Sequence, residues 1–390
     1  MRDLLQCRDD IDSIDKQILN LLEKRMDVAK DIAEYKLSHN QSITDTSREH
    51  IKLQKLREQA QTQGLPASYI SDLYKLIMKN TCAIEQQHII AKANNSTVVR
   101  DSSIAHLGSI GSYSHVAAMR FLEGFKGKIT SSGCDTFDQI VGQVETGKVE
   151  FGVLPIENSS SGSINEVLDA IQNTTASIVG ELFVPIDHAI LGNSAAKLEE
   201  ITDIYSHPQP VTQCSNWIKD ILPKANIHYT KATSEAMNIV KDMNSPHHVA
   251  IGSHLAAGYY GLLPIVDNIA NNTNNYTRFI VISMTPICVP ATIPAKTSLS
   301  FSVQKYTPGS LISVLSEISK HQLNLTKLIS RPKLDKNKDT WEEIFFADIE
   351  GNLASPELQD ILEEIRPFTS SLKVLGCYPN SEQKTTRAKL

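Results

Sequence analysis

Leu4, Cys7, Ile11, Ile14, Ile18 and Leu21 recur in alternating steps of three and four residues. That heptad seam commits the start of the chain to a long helix whose apolar stripe needs a partner. Continuing the count puts Arg25, Val28, Ile32 and Tyr35 at the next seam positions. A guanidinium among apolar neighbours is costly unless it meets an anion. A register-setting polar residue or an internal salt bridge would satisfy that need, and so would a bound ligand. Lys36 follows eleven residues on, about 20° around the helix from Arg25 and roughly 16 Å along it, so the two cations can bracket one small anion. Arg8 lies some 25 Å from Arg25 on the same rod, too far to share that ligand unless a second copy of the helix supplies it.

Thr46-Ser47-Arg48-Glu49 fits a capping box opening a second helix that ends near Gly64, which places Arg48 and Glu49 in its first turn and Asp45 just before it. Pro66 suits the first turn of a third helix reaching about Lys92, on which Thr81 and Glu85 share a face. Three helices bury little core alone, so a homodimer or larger homo-oligomer is expected.

The remaining chain changes character. Phe151 to Leu154 reads as a strand and Ile164 to Ile171 as a helix, with Glu157-Asn158-Ser159-Ser160-Ser161-Gly162-Ser163 between them. A strand feeding a polar turn and a helix start gathers donors suited to an anion, although Ser163 would also serve as an ordinary N-cap. Ile104 to Leu107 leads similarly through Gly108-Ser109-Ile110-Gly111-Ser112-Tyr113-Ser114-His115 into a helix ending near Phe121. Strands and helices alternate to residue 283, which predicts an α/β fold of two lobes around a cleft. Beyond a Pro-containing connector at 290–296, the order strand–helix–strand–strand–helix–strand predicts a small α+β module.

Composition removes several classes. With 41% hydrophobic and 21% charged residues the 390-residue chain is ordinary for a globular protein, and a net charge of −6 without a basic stretch argues against nucleic acid as a partner. No apolar run is long enough for a membrane, and MRDLLQCRDD has no apolar signal core, so a cytoplasmic location is expected. The six cysteines show no metal-ligand spacing, and no cofactor is expected.

These motifs together carry a resemblance. The first segment, 1–92, resembles the helical chorismate mutase domain at the front of bacterial bifunctional chorismate mutase–prephenate dehydratases. The resemblance implies a site lined by Arg8 from the partner chain, Arg25, Lys36, Arg48, Asp45, Glu49 and Thr81, with Glu85 where the family places a glutamine. Segment 104–283 resembles the prephenate dehydratase domain through the Gly108 loop, the stretch ending in Asn158 and Ser160, Ser206-His207-Pro208-Gln209-Pro210 with Gln213, and Asn275-Tyr276-Thr277-Arg278-Phe279. This implies a bilobal fold of the periplasmic-binding kind, with the threonine of the Thr-Arg-Phe triplet closest to the chemistry. Segment 297–378 resembles an ACT domain that binds phenylalanine. Its two effector motifs correspond to Gly309-Ser310-Leu311-Ile312 and Ile329-Ser330-Arg331-Pro332, where Ser310 and Ile329 replace an alanine and a glutamate.

The implied chemistry is chorismate to prephenate, then prephenate to phenylpyruvate. Lys36 and Glu85 would flank the breaking ether oxygen, and the arginines would hold carboxylates. Thr277 would donate to the leaving hydroxyl, tuned by Asn158, Ser160 or Gln213. Arg278 is either a carboxylate anchor or a structural ion-pair partner. His115 and His207 read as loop or core histidines rather than acid–base groups. The competing reading, an amino-acid sensor or solute-binding protein with a helical stalk, has no use for Arg25 in the seam beside Lys36, Arg48 and Glu85.

Overall fold

The computed structural model describes residues 3–43, 45–96, 100–193, 196–272, 274–304, 308–335 and 340–381. It divides into two compact units. One comprises residues 1–97 with the stretches 288–294 and 352–356, and the other residues 98–287, 295–351 and 357–390. The expected dehydratase and C-terminal segments therefore share a unit.

The first unit is built on α1 (Leu4–Ser38), α2 (Thr46–Thr62) and α3 (Ala67–Ala93). Asp45, not Thr46, caps α2, its carboxylate accepting from Arg48 N at 2.9 Å. Helix α3 packs against both α1 and α2. The buried face of α1 is Ala29 and Ala33, one residue round from the extrapolated seam, whose Val28 and Tyr35 are exposed. Small side chains let α3 approach closely there. Toward the N-terminus Leu4, Ile11, Ile14, Ile18 and Leu21 are all about half exposed or more. Asn94, just beyond α3, pairs with both backbone groups of Cys288, donating to its O at 2.8 Å and accepting from its N at 2.7 Å.

The second unit opens with β1 (Ser102–Leu107), α4 (Tyr113–Phe121), β2 (Ile129–Cys134), α5 (Phe137–Glu145), β3 (Phe151–Asn158), β4 (Gly162–Ser163), α6 (Asn165–Asn173) and β5 (Ser177–Pro185). The chain then crosses into β6 (His188–Gly192), β7 (Asp203–Ser206), α7 (Pro208–Gln213), α8 (Ser215–Ile221), β8 (Asn226–Tyr229), α9 (Thr233–Met243), β9 (His248–Ser253), α10 (His254–Tyr260) and β10 (Leu263–Val266). It returns as β11 (Tyr276–Ser283), which inserts between β3 and β5 to complete a sheet ordered β2-β1-β3-β11-β5. The second lobe is a sheet ordered β10-β6-β9-β7-β8. Two sheets joined by two crossings form the bilobal α/β arrangement expected.

Central strand β11 is antiparallel to both neighbours, and one face of its sheet packs Phe279 and Val281 with α4. The opposite face carries Ile280 and Ile282 into a core shared with Ile344, Phe346, Leu375 and Tyr378 from the C-terminal segment. That segment is β12 (Ala295–Val303), α11 (Ser310–Lys320), β13 (Asn324–Asp335), β14 (Thr340–Glu350), α12 (Pro356–Ile365) and β15 (Thr369–Pro379), with sheet order β13-β14-β12-β15. Pro332 lies in β13, an edge strand, where a missing N–H costs no ladder bond.

Candidate functional sites

Within the first unit, α1 and α3 bring four of the singled-out side chains together in two pairs. Arg25 Nη1 donates to Thr81 Oγ1, whose own proton goes to Ile77 O at 2.8 Å. Lys36 Nζ donates to Glu85 Oε2 at 2.7 Å and to Ile43 O at 2.7 Å. An ammonium has three protons, so one remains for a ligand, and Arg25 keeps four of its five N–H groups. Glu85 is only 4% exposed, and its buried carboxylate is therefore paired. Glu49 on α2 accepts from Cys82 Sγ at 3.8 Å, a contact the sequence did not signal. Burial, with Glu49 and Glu85 nearby, pushes the Cys82 thiol upward and keeps it neutral. Asp45 and Arg48 are exposed at the start of α2. Arg8 is exposed on the free half of α1, which runs unbroken from Leu4 to Ser38, so it stays about 25 Å from Arg25 in one chain.

In the second unit the stretch after β3 differs from the strand–turn–helix expectation. β3 runs on to Asn158, and Gly162 (φ 82°) turns the chain back so that β4 pairs with β3 as a hairpin. Ser163 consequently lies in β4, and Ile164 occupies the cap position of α6 without a side-chain cap bond. Asn158 Oδ1 accepts from Ser160 N at 2.9 Å and Ser161 N at 3.0 Å. With its oxygen held by the turn, its amide nitrogen must face β11. There it donates to Asn275 Oδ1 at 2.8 Å and Thr277 Oγ1 at 3.0 Å. Ser159 ties the same tip to β11, donating to Tyr276 O from its backbone and accepting from Tyr276 N, both at 2.9 Å. Thr277 is 7% exposed. Its oxygen is occupied as an acceptor, and among the described residues nothing takes its proton, which leaves it a donor.

A model for chorismate mutase type II matches residues 7–86, and one for prephenate dehydratase matches residues 104–286. A bifunctional chorismate mutase/prephenate dehydratase of Enterobacter agglomerans is 41% identical over 377 residues, spanning 97% of this chain and 96% of its own. The chain belongs to the bifunctional chorismate mutase/prephenate dehydratase family. Among solved structures, GqqA, described as a novel type of quorum quenching acylase, is 29% identical, covering 72% of this chain and 98% of its own at a TM-score of 0.63. The prephenate dehydratase of Arthrobacter aurescens in complex with L-Phe is 24% identical over 71% of this chain and 90% of its own, with a TM-score of 0.62, and shares the fold.

Within the part matched by the dehydratase model, Arg278 is committed elsewhere. Its guanidinium is 6% exposed and paired with Glu181 at 2.8 Å and Asp348 at 2.6 Å. That geometry favours the ion-pair role over the carboxylate anchor. Ser160 is exposed at the hairpin tip. Gln213, in the second lobe, accepts from His188 Nε2 at 2.7 Å. His115 is buried and accepts from Gly111 N at 3.2 Å. Burial, reinforced by His106, pushes it down to about 4, so it is neutral at physiological pH. His207 caps α7 by accepting from Gln209 N at 3.2 Å.

A cavity of about 910 Å³ in the first lobe is lined by Asp135, Asp138, Glu145, Glu166 and Asp169 among others. Its charge has the wrong sign for a dicarboxylate. In the C-terminal segment Gly309 sits at the start of α11 with φ 85°, ahead of buried Ser310 and half-buried Leu311. Ser330, Arg331 and Pro332 lie along β13, with Arg331 paired to Asp169 on α6.

Proposed function

We propose that this chain catalyses two consecutive steps of phenylalanine biosynthesis, chorismate to prephenate in the helical unit and prephenate to phenylpyruvate, water and carbon dioxide in the bilobal region. Both activities are those of the family. The observation that carries the assignment to sites is a pair of arrangements: Arg25 and Lys36 facing Thr81 and Glu85, and Thr277 held as a donor by Asn158. The first step is an intramolecular rearrangement, for which a protein need only hold the dianion compactly and stabilise charge on the departing ether oxygen. Arg25, Arg48 and the partner's Arg8 suit the carboxylates. Lys36 and Glu85 flank the oxygen, Thr81 sets the Arg25 guanidinium, and Asp45 and Glu49 suit the ring hydroxyl. In the second step aromatisation supplies the drive, and Thr277 donates to the hydroxyl that leaves as water. Incubation of the purified protein with chorismate, following prephenate and phenylpyruvate separately, should show both in sequence. Prephenate that accumulates without phenylpyruvate would remove the dehydratase assignment.

The exposed stripe Leu4, Ile11, Ile14, Ile18 and Leu21 supports a homodimer. Covering five such side chains stabilises by on the order of 10 kcal/mol before association costs. The same pairing would bring the partner's Arg8 to this site. Mixing inactive Arg8→Ala and Arg25→Ala proteins should then restore mutase activity, because the mixed dimer has one intact site. No recovery after verified subunit exchange counts against sharing. The β12–β15 module reads as an ACT domain with phenylalanine as effector through Gly309, Ser310, Leu311, Ser330, Arg331 and Pro332. Because Ile329 and Ser310 depart from the motif, calorimetric titration should give binding about tenfold weaker than a motif with its glutamate, the cost of one charged hydrogen bond. Absence of binding by any aromatic amino acid would end the assignment. No described helix is long and apolar enough to cross a membrane, and a cytoplasmic location fits the reading.

A further inference from the structure

Thr277 and Arg278 are neighbours on β11 and point to opposite faces of the sheet. The Arg278 face meets a buried cluster drawn from both halves of the second unit. Arg278 Nε donates to Glu181 Oε2 at 2.8 Å, Nη1 to Asp348 Oδ2 at 2.6 Å, and Nη2 to Tyr378 Oη at 3.0 Å. Lys296 Nζ, 1% exposed, donates to both Glu181 oxygens at 2.9 and 3.1 Å. Ser298 Oγ donates to Asp348 Oδ1 at 2.5 Å and lies 2.7 Å from Tyr378 Oη. Among the described residues, two cations thus face two anions in a buried cluster. Burial opposes the Arg278 charge, yet Asp348 foremost, with Glu181, holds it protonated. Burial likewise works against the Asp348 carboxylate, and Arg278, Ser298 and Lys296 together hold it below the usual carboxylate range.

The junction is stiff as well as charged. A Cβ added at Gly376 on β15 would overlap the Ile178 carbonyl of β5, so the two backbones lie flush. Lys327 on β13 pairs with Glu157 at 2.7 Å, next to Asn158, and Lys373 on β15 donates to Ile171 O, Gln172 O and Thr174 O at the end of α6. The register of β11 against β3 shifts between Arg278 and Phe279, where β3 carries the extra residue Ile156, so on that side the end of β11 bearing Thr277 is set off from the rest of the ladder, while its pairing with β5 is continuous.

We propose that Asp348, on the C-terminal module, is a positioning residue for the dehydratase reaction: through Arg278 it fixes the end of β11 that faces the β3 bulge and hence the aim of the Thr277 hydroxyl. The module then contributes to turnover directly, whether or not an effector is bound. Removing the Asp348 charge leaves Arg278 and Lys296 sharing Glu181, one buried cation in excess, and a shift of Arg278, with the strand that carries it, relieves that imbalance.

This inference rests on Thr277 being the dehydratase donor. In the full-length protein without phenylalanine, Asp348→Asn should lower dehydratase kcat by on the order of tenfold, as a small misplacement of a catalytic group does, with KM for prephenate and mutase turnover unchanged. Adding Arg278→Gln removes the orphaned cation and should bring kcat back to within about threefold of the parent, a non-additive recovery that coupled sites give and independent ones do not. Ser298→Ala keeps both charges and serves if Asp348→Asn folds poorly, with a smaller fall in kcat expected. Unchanged kcat in folded Asp348→Asn, or a double variant as slow as the product of the singles, overturns the proposal. So does a rise in KM alone, which would return Arg278 to substrate binding. An active Thr277→Ala enzyme overturns this proposal and the dehydratase assignment together. An inactive Thr277→Ala beside a normal Asp348→Asn overturns this one alone.

Discussion

Replacing Thr277 with alanine lowers dehydratase turnover by on the order of a hundredfold or more and leaves mutase turnover in the same sample unchanged. The local structure makes this a clean test. Asn158 loses one acceptor but keeps Asn275 Oδ1 at 2.8 Å and Tyr276 O at 3.3 Å, so the hairpin tip stays tied to β11. The hydroxyl proposed to face the leaving group disappears, together with the γ-methyl. Thr277→Ser restores that hydroxyl without the methyl group and should recover most of the rate. In the proposed step Thr277, an alcohol too weakly acidic to give up its proton, would act by hydrogen bonding while the leaving hydroxyl takes its proton from solvent, and Asn158→Ala should cost part of the same rate by releasing the Thr277 hydroxyl. A folded Thr277→Ala protein making phenylpyruvate at near the parental rate would remove Thr277 from the chemistry. Separate assays of prephenate consumption and chorismate consumption decide the matter.

What the sequence made legible, and what it hid, divides by the range of the forces involved. The seam at Leu4 to Leu21 was visible because large apolar residues at helical spacing carry their own period. The buried face further along α1 was not, because Ala29 and Ala33 are chosen for the close approach of α3, and small residues leave little periodic signal. The Asn158 hairpin was misread as a turn into a helix. Ser-rich stretches suit both, and the decision lay in Gly162 adopting φ 82° so that β4 could pair with β3. Thr277 and Glu85 were legible through motif resemblance and spacing. The partners of Arg278 were invisible, since Asp348 and Tyr378 lie 70 and 100 residues away and meet it only once β11 is threaded between β3 and β5. In sequence, a charged residue beside a candidate catalytic one reads equally as a substrate anchor or an ion-pair partner, and burial against named anions favours the second for Arg278.

Glu85 offers the sharpest test of the mutase site. Where the family places a glutamine, whose amide donates at any ordinary pH, this chain has a carboxyl group that donates only when protonated. Glu85 accepts a hydrogen bond from Lys36 at 2.7 Å. In the proposed rearrangement negative charge develops on the ether oxygen, and a carboxylate beside it would oppose that charge while also drawing off Lys36. Glu85→Gln substitutes a permanent donor of nearly the same shape and frees Lys36 from its ion pair. Mutase kcat/KM should therefore rise by on the order of tenfold over the parent. Dehydratase activity provides the control, since it should not change between the two proteins at any pH. The neighbours Gln86 and Gln87 could supply the amide only if Glu85 faced away from Lys36, whereas Glu85 is buried against it. Mutase kcat/KM left unmoved in Glu85→Gln would show that Glu85 takes no part in stabilising the ether oxygen.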